Sequence, residues 1–220
     1  MKRYVHTSTG NYNRKTAGVY EDLSFFTADP KIGEDAVDLF NYLTGYSRFQ
    51  DYHSLVVAPL LMRRRLMDLI EEQAAKKDDG QIFIKCNSIT DPGVIAGLYR
   101  ASQAGCWVDI VVRGVCCLKP GVEGLSTNIR VRSVIGKYLE HSRIYKFGDG
   151  EEQQVFIASA DLMHRNISRR CEILWVRGHF SLISVNDVAL PGFQFTLHVS
   201  ELDWTKLSGP AFTTSTSRGS

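Results

Sequence analysis

The chain has 220 residues, 44% of them hydrophobic and 23% charged, which is enough apolar material for one large core or two small ones and excludes disorder as the main state. Lys and Arg number 26 against 24 Asp and Glu, and the resulting charge of +2 excludes a protein that coats nucleic acid through bulk charge. No apolar run approaches the roughly 20 residues of a membrane span, and Met1-Lys2-Arg3-Tyr4 opens no signal peptide, so the chain reads as soluble and cytoplasmic, reaching a membrane only through partners.

In chain order, Val5-His6 reads as the end of a strand with nothing before it to pair with, running into the polar series Thr7 to Asn13. Glu34 to Tyr46 sets Val37, Phe40 and Leu43 at helical spacing, with Pro30 and Gly33 just before and Gly45 near the end. Leu55-Val56-Val57 is a short strand, and Pro59 to Lys77 a second helix with Pro59 in its first turn, stopped by Gly80. A cleaner unit follows: strand Ile82 to Lys85, a helix capped by Asp91-Pro92 and ended by Gly105, and strand Trp107 to Val112. Strand, crossover helix, strand implies parallel pairing. Ile129 to Val134, His141 to Phe147, Gln153 to Ala158 and Glu172 to Val176 read as strands, the middle two joined by a Gly148-Asp149-Gly150 turn. Beyond Val176 no firm period appears, and Gly209 to Ser220 has the composition of a disordered tail. The sum is an α/β fold around a mixed sheet flanked by helices.

The five cysteines form no C-x-x-C pair, which argues against structural zinc and for buried, reduced thiols.

Chemistry-bearing residues concentrate in the second half of the chain. Arg113 ends the apolar strand Val108 to Val112, at the carboxyl edge where α/β proteins place ligand groups, and its planar fork suits phosphate oxygens. The plain alternative is a strand-end arginine that reaches solvent or pairs with a carboxylate. His141 and Arg143 lie two apart in an expected strand and so share a face. A histidine beside a permanent cation is biased toward its neutral form unless an anion joins them. With a phosphate present, Arg143 would grip oxygens while His141 donates a proton to a leaving oxygen or meets the phosphoryl group. Ser159 and Asp161 follow the next strand as supporting candidates.

This His-x-Arg, strand, turn, strand, Ser-x-Asp grouping resembles the second half-motif of the phospholipase D superfamily, in which two halves face each other across one site. The likeness is closer still to the C-terminal region of bacterial-type polyphosphate kinase, the phosphohistidine-forming family. It rests on Tyr4 to Asn13 (YVHTSTGNYN), Leu23 to Pro30 (LSFFTADP), Leu39 to Tyr46 (LFNYLTGY), Leu98 to Gly105 (LYRASQAG), Val112 to Cys117 (VRGVCC) and Asn128 to Arg143 (NIRVRSVIGKYLEHSR), in order over residues 1–176. The resemblance implies a phospholipase D-like mixed sheet with a partial second copy at the N-terminus: residues 1–50 as the end of a first such domain, 51–180 as the second, and 181–220 as a divergent, partly disordered tail. It implies reversible transfer of the ATP γ-phosphate to inorganic polyphosphate through a phosphohistidine, with Mg2+, in a homo-oligomer. By position it makes Tyr20 the nucleotide contact, Arg113 the arginine on the ATP phosphates and His141 the second essential histidine.

The family's phosphoacceptor histidine, on an H-x-K strand, and its magnesium-associated arginines precede the part of the pattern present here, so no metal ligand is expected in this chain. His6 opens the H-x-x-T-G-N-Y-N run and is expected to be structural, or to line the site through the Thr9-Gly10-Asn11 turn. One half-site without its nucleophile is expected to be inactive alone, and a pattern that starts mid-domain and stops after Val176 fits a gene fragment or a mis-assembled reading frame. Two alternatives remain at this level. One is a phospholipase D-like phosphodiesterase or nuclease acting as a homodimer, although such enzymes keep Lys where Arg143 stands. The other is a non-catalytic binder of polyanions through Arg63-Arg64-Arg65, Arg130 and Arg132, of which the first three read more simply as the solvated face of a helix.

Overall fold

A computed structural model describes residues 2–48, 51–177 and 183–184. Its larger part is a seven-stranded sheet in the order β4 (Leu55–Ala58), β11 (Glu172–Arg177), β10 (Gln154–Ala158), β9 (Ile144–Phe147), β5 (Gln81–Cys86), β6 (Trp107–Val112), β7 (Ile129–Arg132). The strand-helix-strand unit pairs in parallel as expected, from Gln81 opposite Trp107 to Cys86 opposite Val112, and β7 continues the parallel half. The crossover α4 (Pro92–Gln103) starts where the Asp91 carboxylate accepts from the Val94 N–H at 2.9 Å and Pro92 takes the first helical position. Strands β9, β10, β11 and β4 add antiparallel, making the sheet mixed.

Period-two alternation splits the side chains of this sheet between two faces. Ile82, Ile84 and Cys86 of β5, with Val108, Ile110 and Val112 of β6 and Phe156 of β10, join the main core under α3 (Met62–Ala75) and α4. Leu55, Val57, Ile157 and Trp175 point the other way and are covered from the N-terminal region by Leu23, Phe25 and Leu39.

That region comprises β1 (Val5–Ser8), α1 (Arg14–Ala17), β2 (Tyr20–Glu21), β3 (Leu23–Thr27) and α2 (Pro30–Leu43). The strand ending at His6 does have a partner: β1 lies antiparallel to β3, from Val5 opposite Thr27 to Ser8 opposite Ser24, and β12 (Ile183–Ser184) flanks β3 on its other side. The partner follows β1 in the chain, inside a run whose aromatic residues disguise it as a loop-to-helix lead. The buried Asp35 fastens α2 to the large sheet, its carboxylate accepting from the N–H groups of His53, Ser54 and Leu55 at 2.6–3.0 Å.

Several expected boundaries move. Helix α2 begins at Pro30 and not Glu34, because Asp29 caps it through Lys31 N–H at 2.8 Å, and it ends at Leu43, before Gly45 at φ +74°. Helix α3 begins at Met62; Pro59 sits in the preceding turn. The strand expected from His141 starts only at Ile144. Upstream of it, β8 (Leu139–Glu140) pairs in parallel with β2, so residues 141–143 bridge two different sheets and belong to neither. Of the five unpaired cysteines only Cys86 and Cys106 are buried; Cys116 is half-buried, and Cys117 and Cys171 are exposed, outside any strand. Among the described residues no helix is long and apolar enough to cross a membrane. Apart from 183–184, the divergent tail of 181–220 lies outside the described residues.

Candidate functional site

The irregular segment 141–143 brings the site together. His141 Nδ1 lies 2.8 Å from Asp22 Oδ1, and the same carboxylate oxygen accepts from Thr9 Oγ1 at 2.8 Å. A carboxylate only accepts, so Nδ1 carries the hydrogen; the Arg143 guanidinium 3.5 Å from Nδ1 is then a charge nearby and not a donor to it. Nε2 has no hydrogen-bond partner among the described residues. Burial pushes the Asp22 carboxyl up, but hydrogen bonds from His141 and Thr9 and the nearby cations outweigh it and hold the carboxyl below its usual range. Asp22 is therefore the anion that joins histidine to arginine.

Gly10 makes room for this arrangement: a Cβ there would stand 2.2 Å from Asp22 Oδ2. The Tyr20 ring rests against the imidazole, centroids 4.7 Å apart. Tyr20 and Asp22 are two residues apart at the β2–β3 junction, and both meet His141.

Arg143 is 6% exposed, and each of its nitrogens has a partner: Nε and Nη2 reach Asp161 at 3.2 and 3.1 Å, and Nη1 donates to the Thr9 carbonyl at 2.8 Å. Burial opposes its charge, yet the bidentate pair with Asp161 overrides that and raises its pKa. Arg143 thus has no nitrogen left over to grip a phosphate oxygen, contrary to the sequence expectation. Arg113 differs. Its Nε donates to Asn87 Oδ1 at 3.0 Å and to the Glu140 carbonyl at 2.9 Å, while among the described residues nothing hydrogen-bonds its two terminal nitrogens. These are the groups placed to bind an anion. Close behind, Lys85 Nζ donates to Glu140 Oε2 at 2.7 Å and to Ser142 Oγ, and Asn87 N–H donates to Asp161 Oδ1 at 2.8 Å. Burial and the adjoining Glu140 carboxyl raise the pKa of Glu21, with Lys85 opposing.

Sequence reasoning located Tyr20, Arg113, His141, Arg143 and Asp161, and the fold brings these five into one network. Ser159 belongs to a separate group, with its Oγ bonded to the Glu172 carboxylate, which also accepts from Asn166 Nδ2 at 2.9 Å. His6 is exposed; its Nδ1 meets the Tyr12 hydroxyl at 2.8 Å and its ring packs on Phe26, so the site is reached by the Thr9 part of the turn and not by His6. Asp22, Asn87 and Lys85 were missed. For Asp22 a signal existed, since a carboxylate two residues from Tyr20 shares its side of an extended chain; for Lys85, the signal was a lysine ending an otherwise apolar strand.

Among the described residues no group of three or more His, Cys, Asp or Glu side chains could hold a metal ion, and no step is assigned to one. The arrangement is suited to gripping a phosphate through Arg113, which bonds the backbone of the residue before a histidine whose ring Asp22 orients.

The family description "Polyphosphate kinase C-terminal domain 2" matches residues 55–178, and "Polyphosphate kinase C-terminal domain 1" matches residues 1–49. The chain is 53% identical over 175 residues to a polyphosphate kinase of Synechocystis, which covers 78% of this chain and 24% of that protein. It is 52% identical over 177 residues to one from Streptomyces coelicolor, covering 79% and 24%. The crystal structure of polyphosphate kinase from Porphyromonas gingivalis superposes with a TM-score of 0.75 at 39% identity, over 80% of this chain and 28% of that one. The chain spans about a quarter of the length of the relatives it matches.

Proposed function

Because this chain belongs to the polyphosphate kinase family, we propose that it supplies one half of a site that moves the γ-phosphate of ATP reversibly onto inorganic polyphosphate through a phosphohistidine. The observation that carries this reading is the Asp22–His141 pair, with Arg113 bonded through Nε to the carbonyl of the preceding residue, Glu140, and its terminal nitrogens without a hydrogen-bond partner among the described residues. Phosphoryl transfer depends on positioning and on cations around the transferred group. In the proposed arrangement Arg113 binds phosphate oxygens through its terminal nitrogens and Arg143 adds a fixed positive field. His141 exchanges a proton at Nε2 with the leaving or entering oxygen, and Tyr20, whose ring packs at a tilt against the imidazole, borders the nucleotide. The nucleophilic histidine and the residues that hold Mg2+ would come from the part of the relatives that this chain does not cover. A homo-oligomeric state and a cytoplasmic location, with membrane association through partners, belong to the same reading.

Of the cations of the polyanion-binder alternative, Arg64 is 83% exposed and 3.9 Å from Asp68, while the other four are paired more closely within the chain. Arg130 and Arg132 both hold Asp109, at 2.6 and 3.0 Å, Arg63 holds the buried Asp91 at 3.1 Å, and Arg65 holds Glu72 at 3.1 Å.

The test is titration of the chain with inorganic polyphosphate and ATP. Arg113→Ala is expected to weaken binding by roughly tenfold, the value of a charge-assisted hydrogen bond, in a chain that still folds although its unfolding midpoint falls with the lost bonds to Asn87 and Glu140. His141→Ala is expected to weaken it less. Unchanged affinity in both variants would remove the site. Incubated with labelled ATP and magnesium, the chain is expected to form no acid-labile, base-stable phosphoprotein, and the appearance of one would show that a nucleophile is already present.

A further inference from the structure

We infer that Lys85 is a positioning residue for His141, gripping the residues on both sides of it. Lys85 is 5% exposed and lies on β5 in register with Ile144 of β9, so its side chain leaves the sheet on the face opposite Ile84 and Cys86. There its Nζ holds the Glu140 carboxylate at 2.7 Å and the Ser142 hydroxyl. The histidine between them has no strand partner of its own side, and its backbone is fixed by few other bonds: its N–H donates to Glu21 O at 3.0 Å, its carbonyl receives Asn87 Nδ2 at 3.5 Å, and the Glu140 carbonyl receives Arg113 Nε. A segment that bridges two sheets needs such tethers, because no ladder sets its dihedrals.

A role in stability alone accounts poorly for this lysine. Burying an ammonium is costly, and a buried ion pair is a weak source of net stability compared with an apolar side chain of similar volume. What an apolar residue at position 85 could not do is hold Glu140 and Ser142 at once. It would also leave Glu140 facing the Glu21 carboxyl across the β2–β8 pair, where register sets the two side by side, with no cation between them. Repulsion would then swing the 140–142 segment and carry His141 Nδ1 off Asp22, freeing the imidazole to change tautomer. This inference rests on the proposed function only for its consequence in binding; the geometric part stands without it.

The experiment uses the full chain labelled with 15N-histidine, His141 being identified by its loss in His141→Gln. Lys85→Met, close in length and without charge, is expected to fold, to shift the His141 ring nitrogens away from the Nδ1–H pattern, and to weaken inorganic polyphosphate binding by roughly tenfold, the order of one displaced hydrogen bond. Lys85→Arg, which can still reach two acceptors, is expected to restore both. A folded Lys85→Met with the wild-type imidazole pattern overturns the inference. Should Lys85→Met fail to fold, Ser142→Ala removes one of the two grips with the Lys85–Glu140 pair in place and carries the same expectation at smaller size and the same overturning result. A wild-type chain that binds no polyphosphate would sink the functional reading alone, since the imidazole pattern still reports on Lys85.

Discussion

The two faces of the seven-stranded sheet bury comparable side chains on opposite terms. Under α3 and α4 the face is apolar, from Leu66 and Leu69 through Ile82, Ile84 and Phe156. The face toward the N-terminal region is apolar only around Leu55, Val57, Ile157 and Trp175, and at the carboxyl end of β5 it gives way to Lys85, Asn87, Arg143 and Asp161, met by Thr9 and Asp22 from the other side. A single strand, β5, serves both, with Ile82, Ile84 and Cys86 in the core and Lys85 in the network. The difference teaches where each kind of interaction is useful. Non-directional apolar burial stabilises without specifying angles, while ion pairs and hydrogen bonds contribute little net stability but hold an imidazole to one orientation.

Variants on each face can break or sharpen that contrast. The largest stability loss is expected from Phe156→Ala in the apolar core, about 3–5 kcal/mol by denaturant unfolding, with the His141 imidazole pattern unchanged in whatever remains folded. A shifted imidazole there would show that the faces are coupled. Asp161→Ala leaves the buried Arg143 without its bidentate partner and is expected to cost about 3 kcal/mol and to lower polyphosphate affinity together, a pairing that the core variant should not reproduce. Gly10→Ala places a methyl against Asp22 and is expected to cost only about 1–2 kcal/mol, the scale of the hydrogen bonds it disturbs, yet to alter the His141 ring signals; intact signals would mean that Asp22 is not what orients the ring.

The smallest effect concerns pH. Glu21 has a folded pKa raised above its ordinary 4.5, so its favourable contribution is present below that value and is lost as pH rises through the folded pKa. Glu21→Gln is therefore expected to flatten the decline in stability above pH 4.5 and to leave the acid limb alone. That acid limb belongs in part to Asp22, whose lowered pKa gives a contribution present above its ordinary 3.8 and lost as pH falls through the folded value. Parallel pH profiles for wild type and Glu21→Gln would count against the Glu21–Glu140 repulsion.

Reading the chain without its fold went furthest where the physics is local. The unit from Ile82 to Val112 was legible because a parallel strand buried on both faces is a nearly continuous apolar run, because Asp91-Pro92 and Gly105 punctuate its helix, and because a strand of that kind points its last residue, Arg113, at the ligand edge. The family runs carried Tyr20 and His141 into the same account. Boundaries slipped where a cap competed with a pattern: Asp29 started α2 a turn before its apolar spacing became visible.

The sequence by itself determined the mixed α/β class, the parallel core unit, the family and most of the cations of the site, since each follows from neighbours in the chain or from runs of residues in fixed order. Only the tertiary structure decided which side of His141 carries its hydrogen, why Arg143 is committed while Arg113 is not, and that Lys85 is part of the site at all. The partners responsible are 119 residues from His141, 134 from Arg143 and 55 from Lys85. No periodicity or capping rule reaches so far, because such contacts are chosen by which faces are buried together and by the need to pair every charge that burial strips of water.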